Sequence, residues 1–564
     1  MTRLLRALSI GLVLLAVALG SSESSSKGTV AAGQPNIIFI LTDDLDAASI
    51  AFMPKLKPLL IDQGVSFSNF FISFSLCCPS RATILRGQYG HNTQILANGP
   101  PDGGFEKFRS LGHENSTVAT WLRAVGYRTV LLGKYLNGYP AEEFTYVPPG
   151  WDEWYGVFKG HYFNYQINEN GKVVPYGSGA EDYETDILAR KAADFIRRTA
   201  GKQPFFIYLA PYAPHSPATP APRHENLFLD AKALRTPNFN EEDVSDKPSY
   251  IRNRPSLTSR EIAQIDEQYR LRLQSLQAVD DAIASLVDTL KAVGQLDNTY
   301  IFFTSDNGFH LGNHRLAMGK IAPYEEDIRV PLIVRGPGVP AGRTVEHLTG
   351  NVDLAPTWAE LAGAKAADFV DGRSLLPLLG NNPPPTDTWR QAFLLENGNI
   401  DRRSETDLNT PVTATDVEEG LLEPEDPLQN EAQQRQGLGI PAYRGIRTKD
   451  YLYVEYITGE RELYDLKEDP YQLRNLSAIA DPALIKQLSS RLAELRQCAA
   501  ASCRAAESAP PAAATANIQR DVVYGTIQGV ELKLDIYKPE LPGPLPAIIF
   551  VHGGGWVQPP FMAK

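Results

Sequence analysis

Residues 36–44 read NIIFILTDD. Six residues, five of them apolar, run into a threonine and then two carboxylates. A strand that is apolar on both of its faces must be covered on both, which is how strands of parallel sheets are buried. The switch from apolar to acidic puts Asp43 and Asp44 just past the carboxyl end of the strand, where open α/β sheets hold their ligands. Three more stretches repeat the pattern. TVLL (129–132) runs into Gly133 and Lys134, FFIYLA (205–210) into PYAPHSP with His215, and YIFFT (300–304) into Ser305, Asp306, Asn307 and Gly308.

Helical patterns lie between these strands. TSRE (258–261) is a capping box, and apolar residues follow at helical spacing through Tyr269, Leu273, Leu276, Val279, Ile283, Leu286 and Leu290. A second helix is expected over 115–125. Alternating strands and helices give an α/β fold, a large, mixed, mostly parallel sheet sandwiched by helices. From 441 the texture changes to short antiparallel strands with turns between them, then a helix (PALIKQLSSRLAELRQ), read as a smaller C-terminal α+β subdomain.

The chain has 564 residues, more than one core of roughly 250–300 residues accommodates. The expected divisions are a leader over 1–25, a catalytic α/β domain over 34–400, an acidic loop over 401–440, the subdomain over 441–504, an Ala/Pro linker over 505–516 and a foreign tail over 517–564. A second surface loop covers 216–258. The leader has Arg3 and Arg6, an apolar run from Ala7 to Leu19 and then small residues, the pattern of a signal peptide. The run is shorter than the ~20 residues that span a bilayer, and no cysteine follows it for a lipid anchor. The expectation is a secreted, periplasmic or lumenal protein without a membrane anchor. Net charge is −12, which disfavours nucleic acid as a partner. An anionic small substrate would need a local basic pocket. The sequons at Asn115 and Asn475 matter only in a eukaryotic host.

Two acidic or amide pairs at matching strand ends, Asp43–Asp44 and Asp306–Asn307, would repel unless a cation sat among them. Oxygen ligands suit a hard ion, Ca²⁺ or Mg²⁺. Lys134 and Lys320 are candidate anion ligands and His215 a candidate acid. Four cysteines remain to be explained in an exported chain. Cys498 and Cys503 suit a short-loop disulfide. Cys77 and Cys78 are adjacent, and neighbours rarely bridge each other.

Residues 77–87 read CCPSRATILRG, and C-x-P-S-R followed by x-x-x-L-x-G is a sulfatase signature. Around it stand LTDD (41–44), GKYLNGY (133–139), APHSP (213–217), TSDNGFHLG (304–312), GKIAPYEEDIRVPLIVRGPG (319–338) and LYDLKEDPYQLRNL (463–476). Over roughly 35–500 the chain resembles the sulfatase family of the alkaline phosphatase-like superfamily, on its N-acetylglucosamine-6-sulfatase and heparan endosulfatase side.

The resemblance implies that Cys77 is oxidised by a separate formylglycine-generating enzyme to Cα-formylglycine, with Cys78 a permissive neighbour. It implies Ca²⁺, less readily Mg²⁺, on Asp43, Asp44, Asp306, Asn307 and the converted Cys77. Arg81 would support the formylglycine, and Lys134, His215 and Lys320 would bind sulfate or protonate the leaving oxygen. Many arylsulfatases have a histidine two residues after the equivalent of Lys134. Here Leu136 stands there, then Asn137, which leaves Asn137, His91 and His310 as possible accessory groups.

The implied reaction is hydrolysis of a sulfate monoester, on 6-O-sulfated glucosamine or a related sulfated glycan. An aryl sulfate, a phosphodiester or a phosphonate monoester is the alternative, and a secreted glycan-binding protein without catalysis is another. The tail resembles the opening of an α/β-hydrolase esterase, with an HGGG motif at 552–555, but no G-x-S-x-G follows it. It is expected to be inert.

Overall fold

The computed structural model describes residues 34–158, 161–398, 439–508, 516–527 and 530–539. Ten strands form one sheet: β1 (Asn36–Thr42), β2 (Val65–Phe67), β3 (Arg128–Gly133), β4 (Glu153–Phe158), β5 (Gln166–Glu169), β6 (Lys172–Pro175), β7 (Phe205–Ala210), β8 (Thr299–Ser305), β9 (Leu332–Arg335) and β10 (Arg343–Val345). Their order is β10-β2-β9-β8-β1-β7-β3-β4-β5-β6. The central five, β8, β1, β7, β3 and β4, run parallel. Antiparallel pairing appears only toward the edges, at β9 and in the β5–β6 hairpin. The four apolar runs singled out in the sequence are the four adjacent central strands.

Alternation along β1 shows why both faces had to be apolar. Ile37, Phe39 and Leu41 enter one core with helices α1 (Cys77–Arg86), α2 (Val118–Ala124) and α5 (Leu354–Ala362). Ile38 and Ile40 enter the other, against α3 (Glu184–Thr199) and α4 (Ser259–Ala292). In α4 the Thr258–Glu261 capping box forms, and all seven apolar residues of the expected stripe are buried. Helix α2 is shorter than the expected 115–125. It starts after Thr117, whose backbone N–H donates to Thr120 Oγ1 at 3.0 Å, and residues 113–115 form a separate 3₁₀ turn.

A second sheet of four antiparallel strands comprises β11 (Ala392–Asn397), β12 (Tyr443–Thr448), β13 (Tyr451–Tyr456) and β14 (Arg461–Asp465), followed by α6 (Pro482–Leu495) and α7 (Ala501–Ser508). Its first strand precedes the boundary expected at 441. Leu394 and Leu395 of β11 share a core with Ile446 and Leu452, and Phe71, Phe74 and Tyr89 from the first hundred residues join it. The small sheet therefore packs as an extension of the part built on the large sheet. The linker expected from 505 also starts later. Alanine-rich sequence is good helix, and Glu507 of α7 is buried against Arg390 at 2.8 Å and Arg373 at 2.7 Å.

Cys498 and Cys503 are bonded to each other, and Cys77 and Cys78 are free and buried. Residues 516–527 and 530–539 pair as an antiparallel ribbon. The leader, residues 401–438 of the acidic loop, residues 509–515 of the linker and the HGGG motif lie outside the described residues. Among the described residues no helix is long and apolar enough to cross a membrane.

Candidate active site

Strand register decides which side chains meet. Thr42 of β1 lies opposite Ser305 of β8, so Asp43–Asp44 and Asp306–Asn307 leave the sheet side by side. Gly133 of β3 lies opposite Ala210 of β7, so Lys134 and the turn bearing His215 leave together. Gly133 has φ of +109°, and a Cβ there would come within 2.0 Å of Ala210 O. Only glycine lets β3 approach so closely just before Lys134. Asp44 takes φ of +65°, a region where Asp is tolerated better than bulkier residues. Its backbone is held there from both sides. Its N–H donates to Asp306 Oδ1 at 3.1 Å, and its carbonyl accepts from Arg272.

Helix α1 brings the fifth segment. Cys77 is its first residue, and Pro79 falls in the first turn, where no amide donor is needed. Cys77 and Arg81 are four residues apart and share a helix face. Arg81 is wholly buried. Its Nε donates to Asp306 Oδ2 at 2.8 Å, its Nη1 donates to Lys134 O at 2.9 Å, and its Nη2 lies 3.3 Å from Asp43 Oδ2. Lys134 Nζ is 2.7 Å from Asp43 Oδ2. Lys320 Nζ is 2.7 Å from Asp44 Oδ1 and 2.8 Å from Cys77 Sγ. His215 Nε2 is 3.6 Å from Asp44 Oδ2, and its Nδ1 donates to Ser216 O at 2.7 Å. One donor atom from each of Asp43, Asp44, Cys77 and His215 lies within 4.8 Å of the others.

The electrostatics are those of crowded, buried charge. Burial pushes Asp43 upward, but Lys134, His215, Arg81 and Lys320 outweigh it and hold the carboxyl well below its ordinary range. Asp306 goes the other way, to about 6, because burial and the neighbouring Asp43 exceed the pull of Arg81. Burial raises the Cys78 thiol to about 12, which makes it an inert filler.

The acceptors are not used up. Asp44 Oδ2 and Asn307 Oδ1 are buried with no hydrogen-bond donor among the described residues. Asn307 points Nδ2 at Asp44 Oδ1, 2.7 Å away. Turning that amide over would put its oxygen among the carboxylates, the donor set of a hard divalent cation. Three carboxylates, Asp43, Asp44 and Asp306, face three basic side chains, Arg81, Lys134 and Lys320. Adding a dication to that balanced set leaves positive charge for an anionic substrate.

Residues 35–364 match the family described as Sulfatase. The N-acetylglucosamine-6-sulfatase of Homo sapiens is 36% identical over 494 residues, which cover 84% of this chain and 87% of that protein. The chain belongs to the sulfatase family. Solved sulfatase-like structures agree. One, in complex with its substrate D-glucosamine-2-N,6-O-disulfate, is 25% identical with a TM-score of 0.63, covering 82% of this chain and 98% of the other. A phosphonate monoester hydrolase from Silicibacter pomeroyi is 25% identical with a TM-score of 0.59, covering 81% and 93%. This sulfatase is a sulfuric ester hydrolase.

The accessory candidates separate. His91 is away from the strand ends. Its Nδ1 pairs with Glu396 Oε1 of β11 at 3.0 Å, and its Nε2 donates to Cys498 O at 2.9 Å. It ties α1's exit to the small sheet and does not stand in for the missing histidine. Asn137 lies behind Cys78, its carbonyl accepting from Phe105 N at 2.8 Å. His310 is buried, with Nδ1 2.9 Å from both oxygens of Asp327.

Sequence reading missed three supports of the sulfatase site. Arg272, buried in α4, donates to Asp44 O and to Pro214 O. The signal was available, since a charge sits in the apolar stripe between Tyr269 and Leu276. Asn98 accepts from Cys78 N at 2.9 Å and so satisfies an amide at the start of α1. Tyr212 presents its ring to Lys134, with Nζ 5.3 Å from the centroid. Nothing in the local sequence marks the last two.

Proposed function

We propose that this sulfatase uses a divalent cation and a formylglycine made from Cys77 to hydrolyse 6-O-sulfate esters of glucosamine or a related glycan. The observation that carries the proposal is the convergence of four strand ends and α1 on one centre with unspent buried acceptors. Asp43, Asp44, Asp306 and Asn307 would hold the ion. Ca²⁺ suits them better than Mg²⁺, which demands stricter octahedral geometry and keeps several waters. When bound, the cation neutralises charge on the sulfate and makes its sulfur more open to attack. Formylglycine supplies a hydrated aldehyde as the oxygen nucleophile.

The chain's own side chains do the rest. Lys134 and Lys320 place two charges in a water-poor pocket, where they act strongly on sulfate oxygens. His215 is fixed by Ser216 O through Nδ1–H, which directs Nε2, and in the imidazolium form Nε2–H would donate its proton to the leaving oxygen. Arg81 contacts Asp43, Asp306 and the backbone of Lys134, and so fixes the spacing of both sides of the pocket.

The substrate class is supported by the named activity of the human relative and by the sugar sulfate in the solved neighbour. Export is supported by the leader, and maturation would need a formylglycine-generating enzyme. The test has two parts. Mass spectrometry of the Cys77 peptide should show conversion of the thiol. The converted protein should then prefer glucosamine 6-sulfate over 4-nitrophenyl sulfate and over bis(4-nitrophenyl) phosphate. Unmodified Cys77 in an active preparation, or a preference for the phosphodiester, overturns the reading.

A further inference from the structure

Asp327 ties together three segments that border the site. Its backbone carbonyl accepts from Gly308 N at 2.9 Å, next to Asn307, and from Ser75 Oγ at 2.6 Å, two residues before Cys77. Its carboxylate accepts from Ala322 N at 2.7 Å, two residues after Lys320. The same carboxylate holds His310 Nδ1. His310 in turn pairs across a short ribbon with Gly319, the residue before Lys320. The His310–Asp327 pair is therefore built into the segment that carries Asn307 at one end and Lys320 at the other.

Compare how this protein uses other histidines bound to buried carboxylates. His91 spends Nδ1 on Glu396 and Nε2 on Cys498 O. His314 spends Nδ1 on Glu241, 2.6 Å away, and Nε2 on the Asn238 amide at 3.2 Å. Each therefore has both ring nitrogens engaged by protein groups, His91 half-buried and His314 wholly buried. His310 spends Nδ1 on Asp327, yet its Nε2 has no hydrogen-bond partner among the described residues, and 3% of the residue remains exposed. A carboxylate that fixes Nδ1–H leaves Nε2 as a directed polar group.

We infer that His310, positioned by Asp327, is a specificity-determining residue of the pocket that hydrogen-bonds the sugar of the substrate through Nε2. The sulfate already has Lys134 and Lys320, and it needs no further neutral partner. Sugar hydroxyl groups are neutral, and they are recognised by a few rigid, directional polar groups. A site built to hydrogen-bond a substrate hydroxyl discriminates sharply against ligands that lack it. The inference rests on the sugar-sulfate reading above.

The test compares two substrates on protein whose Cys77 conversion has been checked by mass spectrometry. Glucosamine 6-sulfate carries the sugar and 4-nitrophenyl sulfate does not. For His310→Ala, the ratio of kcat/KM values should shift at least about ten-fold against the sugar, mostly through KM. Asp327→Asn should shift it in the same direction by less. His310→Gln, which keeps a donor, should recover part of the loss. Should Asp327→Asn fail to fold, the two His310 variants carry the test alone. Equal losses on both substrates, or no loss on either, overturn the inference and leave the sulfatase reading standing. Wild-type protein that hydrolyses the aryl sulfate but not glucosamine 6-sulfate overturns the substrate reading, and the inference falls with it.

Discussion

Two buried charge clusters flank helix α1, and they are built on opposite plans. At the strand ends, Asp43, Asp44 and Asp306 crowd together, and acceptors remain open on Asp44 and Asn307. At the joint with the small sheet, Glu396 meets His91 and Arg444, and His91 uses both ring nitrogens. The ionisations differ accordingly. At the strand ends burial and Asp43 lift Asp306 to about 6, while the surrounding cations hold Asp43 itself well below its ordinary range. Burial works against charge at the joint too, but His91 lowers Glu396 to about 2 and Glu396 raises His91 to about 9. A closed pair stabilises both charged forms, whereas crowded acids oppose one another. Buried charge with every group answered is architecture, and buried charge with acceptors left over is a place for something that arrives later.

The comparison breaks first, and most visibly, at Cys77. On the proposed reading, Cys77→Ser keeps nearly the volume of the side chain but removes the thiol that would be converted to formylglycine. Turnover should fall by at least about 10³-fold, the scale for loss of a nucleophile, while the urea midpoint stays near wild type. Near-normal steady-state turnover by the purified variant would mean that the strand-end cluster does not act through this residue.

The acids are tested next, through the proposed metal. Asp306→Ala removes one carboxylate and leaves Arg81 with less to hold. Activity should drop by about 10²-fold or more, the effect of losing an electrostatic stabiliser. Independently of activity, Ca²⁺ at a hundred-fold excess over its Kd should stabilise the wild type by about 2.7 kcal/mol. Asp306→Ala should lose most of that response, and Glu396→Gln at the joint should keep it. A Ca²⁺-dependent shift of equal size in Asp306→Ala would place the ion elsewhere.

The joint makes a prediction in pH. His91 is raised above its ordinary value of 6.5, so folding favours its protonated form. Its contribution is fully present below pH 6.5 and fades as pH rises through about 9. The change is worth at most about 3 kcal/mol. Stability measured by urea unfolding should therefore decline between those values. His91→Gln should be less stable at pH 6 and should flatten that decline. A wild-type profile with no alkaline slope would show that the pair is not closed in solution.

The same contrast explains what was legible in the sequence. The strand ends could be read because the switch from apolar run to acid is local, and because parallel sheets put such switches at one edge. The fold followed from that, as did the meeting of Asp43, Asp44, Lys134, His215, Asp306 and Asn307. Arg272 and Asn98 could not be placed, since each bonds directly to backbone atoms that lie 20 or more residues away in sequence. His91 looked close to the site because only fourteen residues separate it from Cys77. The chain turns at Gly87, however, and carries His91 toward Asp371 and β11. The early start of the small sheet escaped for a related reason, because β11 reads like one more buried strand until its partners are known.

Gly87 is where the two plans divide, and it supports the smallest and most discriminating prediction. It caps α1 with φ of +67° and donates to Thr83 O at 2.7 Å. Its own carbonyl accepts from Asp371 N at 2.8 Å, and Asp371 in turn accepts from Tyr89 N, also at 2.8 Å. A Cβ at this position would lie 3.0 Å from Val370 Cγ1, 3.1 Å from Pro356 Cδ and 3.4 Å from Val352 O, tight contacts that fall short of a hard clash. The main cost of Gly87→Ala is therefore the left-handed backbone, about 1–2 kcal/mol. That cost falls at the C-terminal end of α1, while Cys77 and Arg81 stand at its other end, braced by Asn98, Asp306 and Lys134. Gly87→Ala should lower the urea midpoint by the equivalent of that energy and leave kcat/KM within about two-fold. A large loss of turnover with unchanged stability would mean that strain passes along the helix, and that joint and site are one mechanical unit.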